Sequence, residues 1–117
     1  MLIDFSKPIN SYRIQILDNG KPVLLALVAQ SVLTARHVQE TNPQTGASTL
    51  SGEEQYKRYV LAQKVSAGDE VDVSAEEIAL IKKLVGYGNF EHNAVDIIGA
   101  FYQAIEGSKP QPVSKVS

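Results

Sequence analysis

Between Arg13 and Leu17 polar and apolar residues alternate, the period of a β-strand whose two faces meet different surroundings. Asp18-Asn19-Gly20 follows as a turn, because Asn-Gly accepts the positive φ that a tight hairpin requires. Lys21-Pro22-Val23-Leu24 then returns, and Pro22, which has no N–H to donate, keeps this second strand short or at an edge. A small hairpin over about residues 13–24 is therefore predicted, after a short lead over residues 1–11 that Pro8 and Asn10-Ser11 interrupt. From Leu25 to about Val38 the period lengthens. Leu24, Leu27, Val28, Val32 and Ala35 recur at spacings of three and four and predict one apolar helical face, which Leu25 and Leu33 widen. This helix has no good N-cap residue, and His37 is expected at its end, where a cationic ring suits the helix dipole. Gln39 to Leu50 has no period and is rich in turn formers, so it reads as a structureless loop of the length that often carries function.

Two helix starts are written in the same form. Ser51-Gly52-Glu53-Glu54 and Ser74-Ala75-Glu76-Glu77 are both S-x-x-E capping boxes, in which the Ser hydroxyl accepts the amide of the Glu and the Glu carboxylate returns to the Ser amide. After Ser51, Tyr56, Tyr59, Val60 and Gln63 are read as the inward face, flanked by Leu61 and Val65. Glu53–Lys57 and Glu54–Arg58 are spaced as i,i+4 pairs. Glu70 to Val73 is short and extended. After Ser74, Ile78, Ile81, Leu84 and Val85 form an apolar stripe with Leu80 beside it, and Gly86 is expected as the C-cap. These two helices are expected to share a core over residues 51–85. A last helix over about Asn93 to Glu106 presents Val95, Ile98, Phe101, Tyr102 and Ile105. Asn93 and Asp96 form a weaker capping pair, Gly99 allows close helix packing, and Gly107 is the stop. The reading is a mainly α domain over residues 1–107, an N-terminal β-hairpin followed by about four short helices, with an α+β arrangement as the alternative. Residues 108–117 are expected to be a disordered tail.

The bulk numbers narrow the class. A chain of 117 residues that is 44% hydrophobic can bury one core without staples. Its formal net charge of −2 argues against a dominant electrostatic grip on nucleic acid. It has no cysteine, which removes disulfides and thiolate metal sites. The first residues lack the form of a secretion signal, and the most apolar window, Val23 to Ala35, is well short of the roughly 20 residues of a membrane span. A soluble intracellular protein without a membrane association is the expectation.

Candidate chemistry is sparse. Val85-Gly86-Tyr87-Gly88 has the letters of a potassium-channel filter, but without a span it reads as a helix end and turn. His92 and Asp96 are spaced as two metal ligands on one helix, which is too few for a site. The acidic residues Asp69, Glu70, Asp72, Glu76 and Glu77 do not match a calcium loop and read as a solvated surface. No nucleophile, base and acid share a recognisable spacing, so no catalytic residue, metal or cofactor is assigned and enzyme activity ranks last. Two surfaces remain. Tyr87, Asn89, Phe90 and His92 are the candidate partner-binding segment. Lys57, Arg58 and Lys64 on one helix, with Lys82 and Lys83 on the next and Tyr56 and Tyr59 nearby, are a candidate basic face that could stack on and pair with nucleic acid.

Several of these runs together resemble a known class. Leu50-Ser51-Gly52-Glu53-Glu54, Lys57-Arg58, Leu61-Ala62-Gln63-Lys64, Val73 to Ile78 and Leu80 to Val85 are similar to small helical proteins of tailed bacteriophages and prophages. The Asp-Asn-Gly-Lys-Pro turn and the apolar helix after it fit the same class. The likeness covers about residues 12–105, consists mainly of caps and core positions, and departs after Gly86. It implies a non-catalytic phage protein that acts through a protein partner, host or phage, or through its own oligomer. The setting would be the host cytoplasm or the virion, as an assembly component or a modulator of a host protein. The alternative is a small DNA-binding regulator that uses the 51–85 helix pair, although the link from Val65 to Val73 is longer than a helix-turn-helix uses.

Overall fold

The computed structural model describes residues 2–12, 16–18, 20–67, 70–88 and 94–108. The expected hairpin is present as β2 (Leu17–Asp18) and β3 (Lys21–Pro22), antiparallel with Leu17 opposite Pro22 and Asp18 opposite Lys21. Gly20 takes φ +79°, the left-handed conformation that the turn demands of it. Pro22 is exposed, and Val23 donates to Ile16 O at 3.2 Å to close the pair.

The lead before the hairpin is not merely irregular. Leu2–Asp4 form β1, which pairs antiparallel with β4 (Glu70–Asp72), Ile3 standing opposite Val71. Ile3, Phe5 and Ile9 are fully buried. The same segment answers the missing N-cap of α1 (Leu25–Thr34). Leu24 offers no side-chain oxygen, so the Leu25 amide donates to Lys7 O and the Ala26 amide to Phe5 O, each at 2.9 Å. Backbone carbonyls thus satisfy donors that a helix start leaves orphaned.

α1 ends at Thr34, short of the expected Val38, and Ala35 is extended. His37 lies beyond the helix, buried, with Nε2 2.7 Å from Val32 O. A carbonyl only accepts, so Nε2 carries the proton and satisfies one of the last carbonyls of the helix. The inward face of α1 is Leu25, Ala26, Val28, Ala29, Val32 and Leu33. Leu24 and Leu27, expected inside, are exposed. The segment after it is built, not structureless. A 3₁₀ turn covers Val38–Glu40, and Thr41 bridges Ser48. Asn42 Oδ1 accepts from the Gln44 and Thr45 amides, and Gly46 turns the chain with φ +73°.

α2 (Gly52–Val65) and α3 (Ala75–Gly86) start where the Ser-x-x-Glu forms place them. The full reciprocal box forms at Ser74 and Glu77, whereas at Ser51 only the hydroxyl-to-Glu54 amide bond is made. Ile78, Ile81, Leu84 and Val85 are buried as expected. Gly86, however, is the last helical residue, and the left-handed turn falls on Gly88 at φ +71°. Gly86 has a different use: a Cβ there would sit 2.8 Å from the Tyr102 hydroxyl, which donates to Lys82 O at 2.7 Å. The missing side chain lets α4 (Ala94–Ser108) lock onto α3.

On α4, Phe101 and Ile105 are buried and Ile98 and Tyr102 partly so, but Val95 is 82% exposed. Asp96 is buried and accepts from Ser11 Oγ at 2.9 Å. Asn93, its expected capping partner, lies outside the described residues. Gly99 is exposed with nothing within 4 Å, so it serves no close packing. The helix runs to Ser108, past the expected stop, and the rest of the expected tail lies outside the described residues.

The architecture is mainly α, with two short antiparallel pairs of strands, β1 with β4 and β2 with β3. α1 is the central helix. α2 and α3 pack chiefly on α1 rather than on each other, so the core expected over residues 51–85 is shared by the two helices but is completed by α1.

Candidate functional site

The orientation of α2 decides what this protein presents to its surroundings. Two sets of residues on this helix share the i, i+3, i+4, i+7 spacing: Tyr56, Tyr59, Val60 and Gln63, and Arg58, Leu61, Ala62 and Val65. They are two residues out of phase, about 200° around the helix, and so lie on opposite faces. The second set is buried and the first is exposed: Tyr56, Tyr59 and Val60, expected inside, face solvent, while Leu61 and Val65, expected as flanks of the inward face, are on it.

Arg58, expected on a basic face, is only 4% exposed. Its Nη1 and Nη2 donate to Oε1 and Oε2 of Glu40, each at 2.6 Å. This is a fork-to-fork pair, the strongest geometry available to an Arg and a carboxylate. The guanidinium bonds hold the Glu40 carboxyl below its ordinary pKa against the opposing effect of burial, and Glu40 in turn raises the Arg58 pKa. Among the described residues, Arg58 Nε is the one buried side-chain nitrogen or oxygen without a hydrogen-bond partner. The pair fastens the 38–50 segment to α2, and Arg36 Nη1 adds a bond to Gly46 O at 3.1 Å.

Beside this pair opens a cavity of about 310 Å³ with a mixed lining, Leu33 and Leu50 together with Arg36, His37, Ser48, Gln55 and Tyr59. Glu40 is committed to Arg58, and Nε2 of His37 to Val32 O. A carboxylate held ionised and a ring nitrogen held by a carbonyl supply neither a general acid nor a free base at those atoms. Among the described residues no group of three or more His, Cys, Asp and Glu is placed to hold a metal.

With Arg58 turned inward, Tyr56 and Tyr59 stand 66% and 55% exposed, their rings stacked 6.5 Å apart at 26°. Tyr56 and Val60 form one wall of a groove of about 560 Å³ between α2 and α3, with Leu61 and Leu80 also lining it. The rim is charged with both signs: Glu54, Lys57 and Lys64 from α2, Glu76 and Glu77 from α3. Lys64 Nζ reaches Glu77 Oε1 at 3.2 Å, across the groove. Burial alone would raise the Glu77 pKa, but the Ser74 amide and Lys64 together hold it below its ordinary value. Lys57 and Glu76 are exposed and make no ion pair with the described residues.

The basic face thus divides: Arg58 is inside, Lys64 is paired, and Lys57 alone of the three projects without a partner. Of the expected partner-binding segment, Tyr87 is half-buried, its ring edge-on to His37 at 5.2 Å and 60°, and its carbonyl accepts from Gln39 Nε2 at 3.3 Å. Asn89, Phe90 and His92 lie outside the described residues. Tyr56, Val60 and Leu80 were legible as apolar residues, but periodicity alone placed the first two inside. Among the described residues no helix is long and apolar enough to cross a membrane. No protein-family model, curated protein or solved structure matches this chain.

Proposed function

We propose that this chain acts by holding another protein, as a non-catalytic component of a tailed phage or prophage that serves particle assembly or modulates a host protein. The host cytoplasm, or the virion, is the corresponding setting. The observation that carries the binding part is the stacked, exposed pair Tyr56–Tyr59 beside Val60 on one face of α2. Tyrosines offer large contact area with few rotatable bonds and a polar tip, and they are enriched where proteins meet. The phage part rests on the sequence resemblance alone.

Capture from host lysate and co-purification with phage particles test it. The expected result is a reproducible partner retained by the wild-type chain and lost with Tyr56→Ser/Tyr59→Ser. Absence of any partner, including self-association, would remove the proposal. The DNA-binding reading is weakened by the loss of Arg58 and Lys64 from the basic face, since non-specific binding needs several free cations on one surface. A mobility shift that falls steeply with salt and disappears with Lys57→Ala would restore it.

A further inference from the structure

We infer that the cavity beside the Arg58–Glu40 pair is a binding site for a small apolar monocarboxylate, held by the charge of Arg36 and not converted. The inference goes beyond the protein-binding reading and does not depend on it. The cavity measures about 310 Å³, at the lower end of the roughly 300–1,000 Å³ of ligand pockets, which suits a small organic molecule. Its lining has the two halves that such an acid needs. Leu33, Leu50 and Tyr59 offer apolar surface, whereas Arg36, Ser48 and Gln55 offer polar groups. Glu40 stays ionised and His37 Nε2 stays on Val32 O, so neither atom moves a proton and the acid is bound without chemistry.

The charge of the lining is positive. Arg36 and Arg58 bring two guanidiniums and Glu40 one carboxylate, and Arg58 and Glu40 cancel in their fork-to-fork pair. Outside the lining, Lys83 acts on Glu40 and Glu54 acts on Arg58, one charge of each sign. What remains is Arg36, which makes no ion pair with the described residues. Its Nη1 donates to Gly46 O at 3.1 Å, which ties the guanidinium down and leaves Nε and Nη2 for a ligand. Those two nitrogens are a fork that meets both oxygens of a carboxylate. One such charge balances a monoanion and leaves a dianion uncompensated. A second observation belongs to the same lining. Arg58 Nε is buried and has no acceptor, because Glu40 takes only the two Nη groups. Buried donors are normally paired, and an acceptor from a ligand counts for most where burial removes the competition of water.

The test is a titration of the full chain with benzoate, followed by amide NMR shifts, with circular dichroism as the folding control. Saturable shifts at Arg36, Ser48, Gln55 and Tyr59 are expected. Benzamide, the uncharged isostere, should bind about tenfold more weakly or worse, the scale of one hydrogen bond to a charged group. Inorganic phosphate, which has charge without an apolar body, should also bind more weakly than benzoate. Arg36→Gln removes the charge, and Gln55→Glu cancels it from the opposite wall at nearly the same shape. Each should lower the benzoate affinity about tenfold or more. Both positions are exposed, and either variant alone gives the reading if the other fails to fold. N-acetylleucine, whose carboxylate is set as at a chain end, distinguishes the two sources of such an acid. Tighter binding than benzoate assigns a peptide terminus, weaker binding a free acid, and both keep the site. Four results overturn the inference: no saturable shift with either acid, benzamide or phosphate equal to benzoate, binding that Arg36→Gln and Gln55→Glu leave unchanged, or shifts confined to Val38 and Thr41. The last would place the ligand in the neighbouring cavity of about 390 Å³ that Arg36 also borders.

Discussion

α2 and α3 begin with the same Ser-x-x-Glu device and span 14 and 12 residues, yet they close their inward faces with different chemistry. α3 buries Ile78, Ile81, Leu84 and Val85, a face of hydrocarbon throughout. α2 buries Leu61, Ala62 and Val65 together with a guanidinium whose charge is met by Glu40. A hydrocarbon face is held by the water it excludes and needs no particular partner. An ionic face depends on a single residue elsewhere in the chain, and removing that residue leaves a buried charge uncompensated. The same choice frees the aromatic side of α2 for solvent. Stability at α3 and exposure at α2 are therefore linked through which face of each helix meets α1.

The largest expected effect is on α3. Ile81 is fully buried, so Ile81→Asp places an unpaired carboxylate in the core and should cost roughly 4–5 kcal/mol. A thermal melt should show a fall of about 15 °C or an unfolded chain, and an unchanged midpoint would mean that this stripe is not in the core. On α2 the corresponding change is Arg58→Ala, expected to cost about 3–5 kcal/mol in a denaturant titration because Glu40 stays behind. The double variant Arg58→Met/Glu40→Leu should recover most of that loss, which an ordinary cavity would not. Acid sharpens the contrast. The folded-state pKa of Glu40 lies below its ordinary value of 4.5. Its contribution is therefore complete above that value and is lost as pH falls through the lowered one. Wild type should lose more stability in acid than the double variant, while Glu77 acts alike in both. Equal losses would show that the pair does not stabilise the fold.

The same contrast explains what could be read before the structure. On α3 one apolar stripe stood without a rival, and spacing alone located both its face and its start. On α2 two stripes have identical spacing, and tyrosine and valine are more often core residues than arginine is. The deciding fact is Glu40, 18 positions earlier in a segment without period, whose carboxylate makes an inward arginine tolerable. The set Arg58, Leu61, Ala62 and Val65 was itself a signal, since it holds three aliphatic residues around one charge. The β1–β4 pairing was hidden for a related reason: Ile3, Phe5 and Ile9 alternate in strand period, but Pro8 interrupts them and the partner strand lies far along the chain. The hairpin was legible because Asn19-Gly20 is a local device. The groove was not, because it exists only where two helices pack on a third. Its charged rim is assembled from residues that no local window joins.

The next contrast is smaller and lies in the caps. Ser51→Ala and Ser74→Ala each remove one hydroxyl-to-amide bond and should cost about 1 kcal/mol. Their glutamates differ. Glu77 bonds both the Ser74 amide and Lys64, so Glu77→Ala should also cost about 1 kcal/mol. Glu54 makes no return bond to Ser51, and Glu54→Ala should stay within about 0.5 kcal/mol. Equal costs at the two glutamates, measured by urea unfolding, would mean that α2 closes its box as fully as α3 does.

A small expected effect decides the most about α2. Tyr56→Ser/Tyr59→Ser removes two rings that are more than half exposed, so the chain gives up mainly their mutual stacking and some covered helix surface. The stability of the single chain should fall by no more than about 1 kcal/mol. Were these rings on the inward face, the same double change would open a large cavity and cost several kcal/mol, because buried aromatics are among the most expensive side chains to truncate. The measurement is a urea titration at a concentration low enough to keep the chain monomeric, compared with Leu61→Ala on the opposite face of the same helix. Leu61 is buried, and its truncation should cost about 2–4 kcal/mol. A tyrosine pair that costs more than Leu61 would turn α2 over, place Arg58 outside, and return the basic face to the surface. A pair that costs less, while abolishing partner capture, separates the two sides of this helix into one that holds the fold and one that meets the partner.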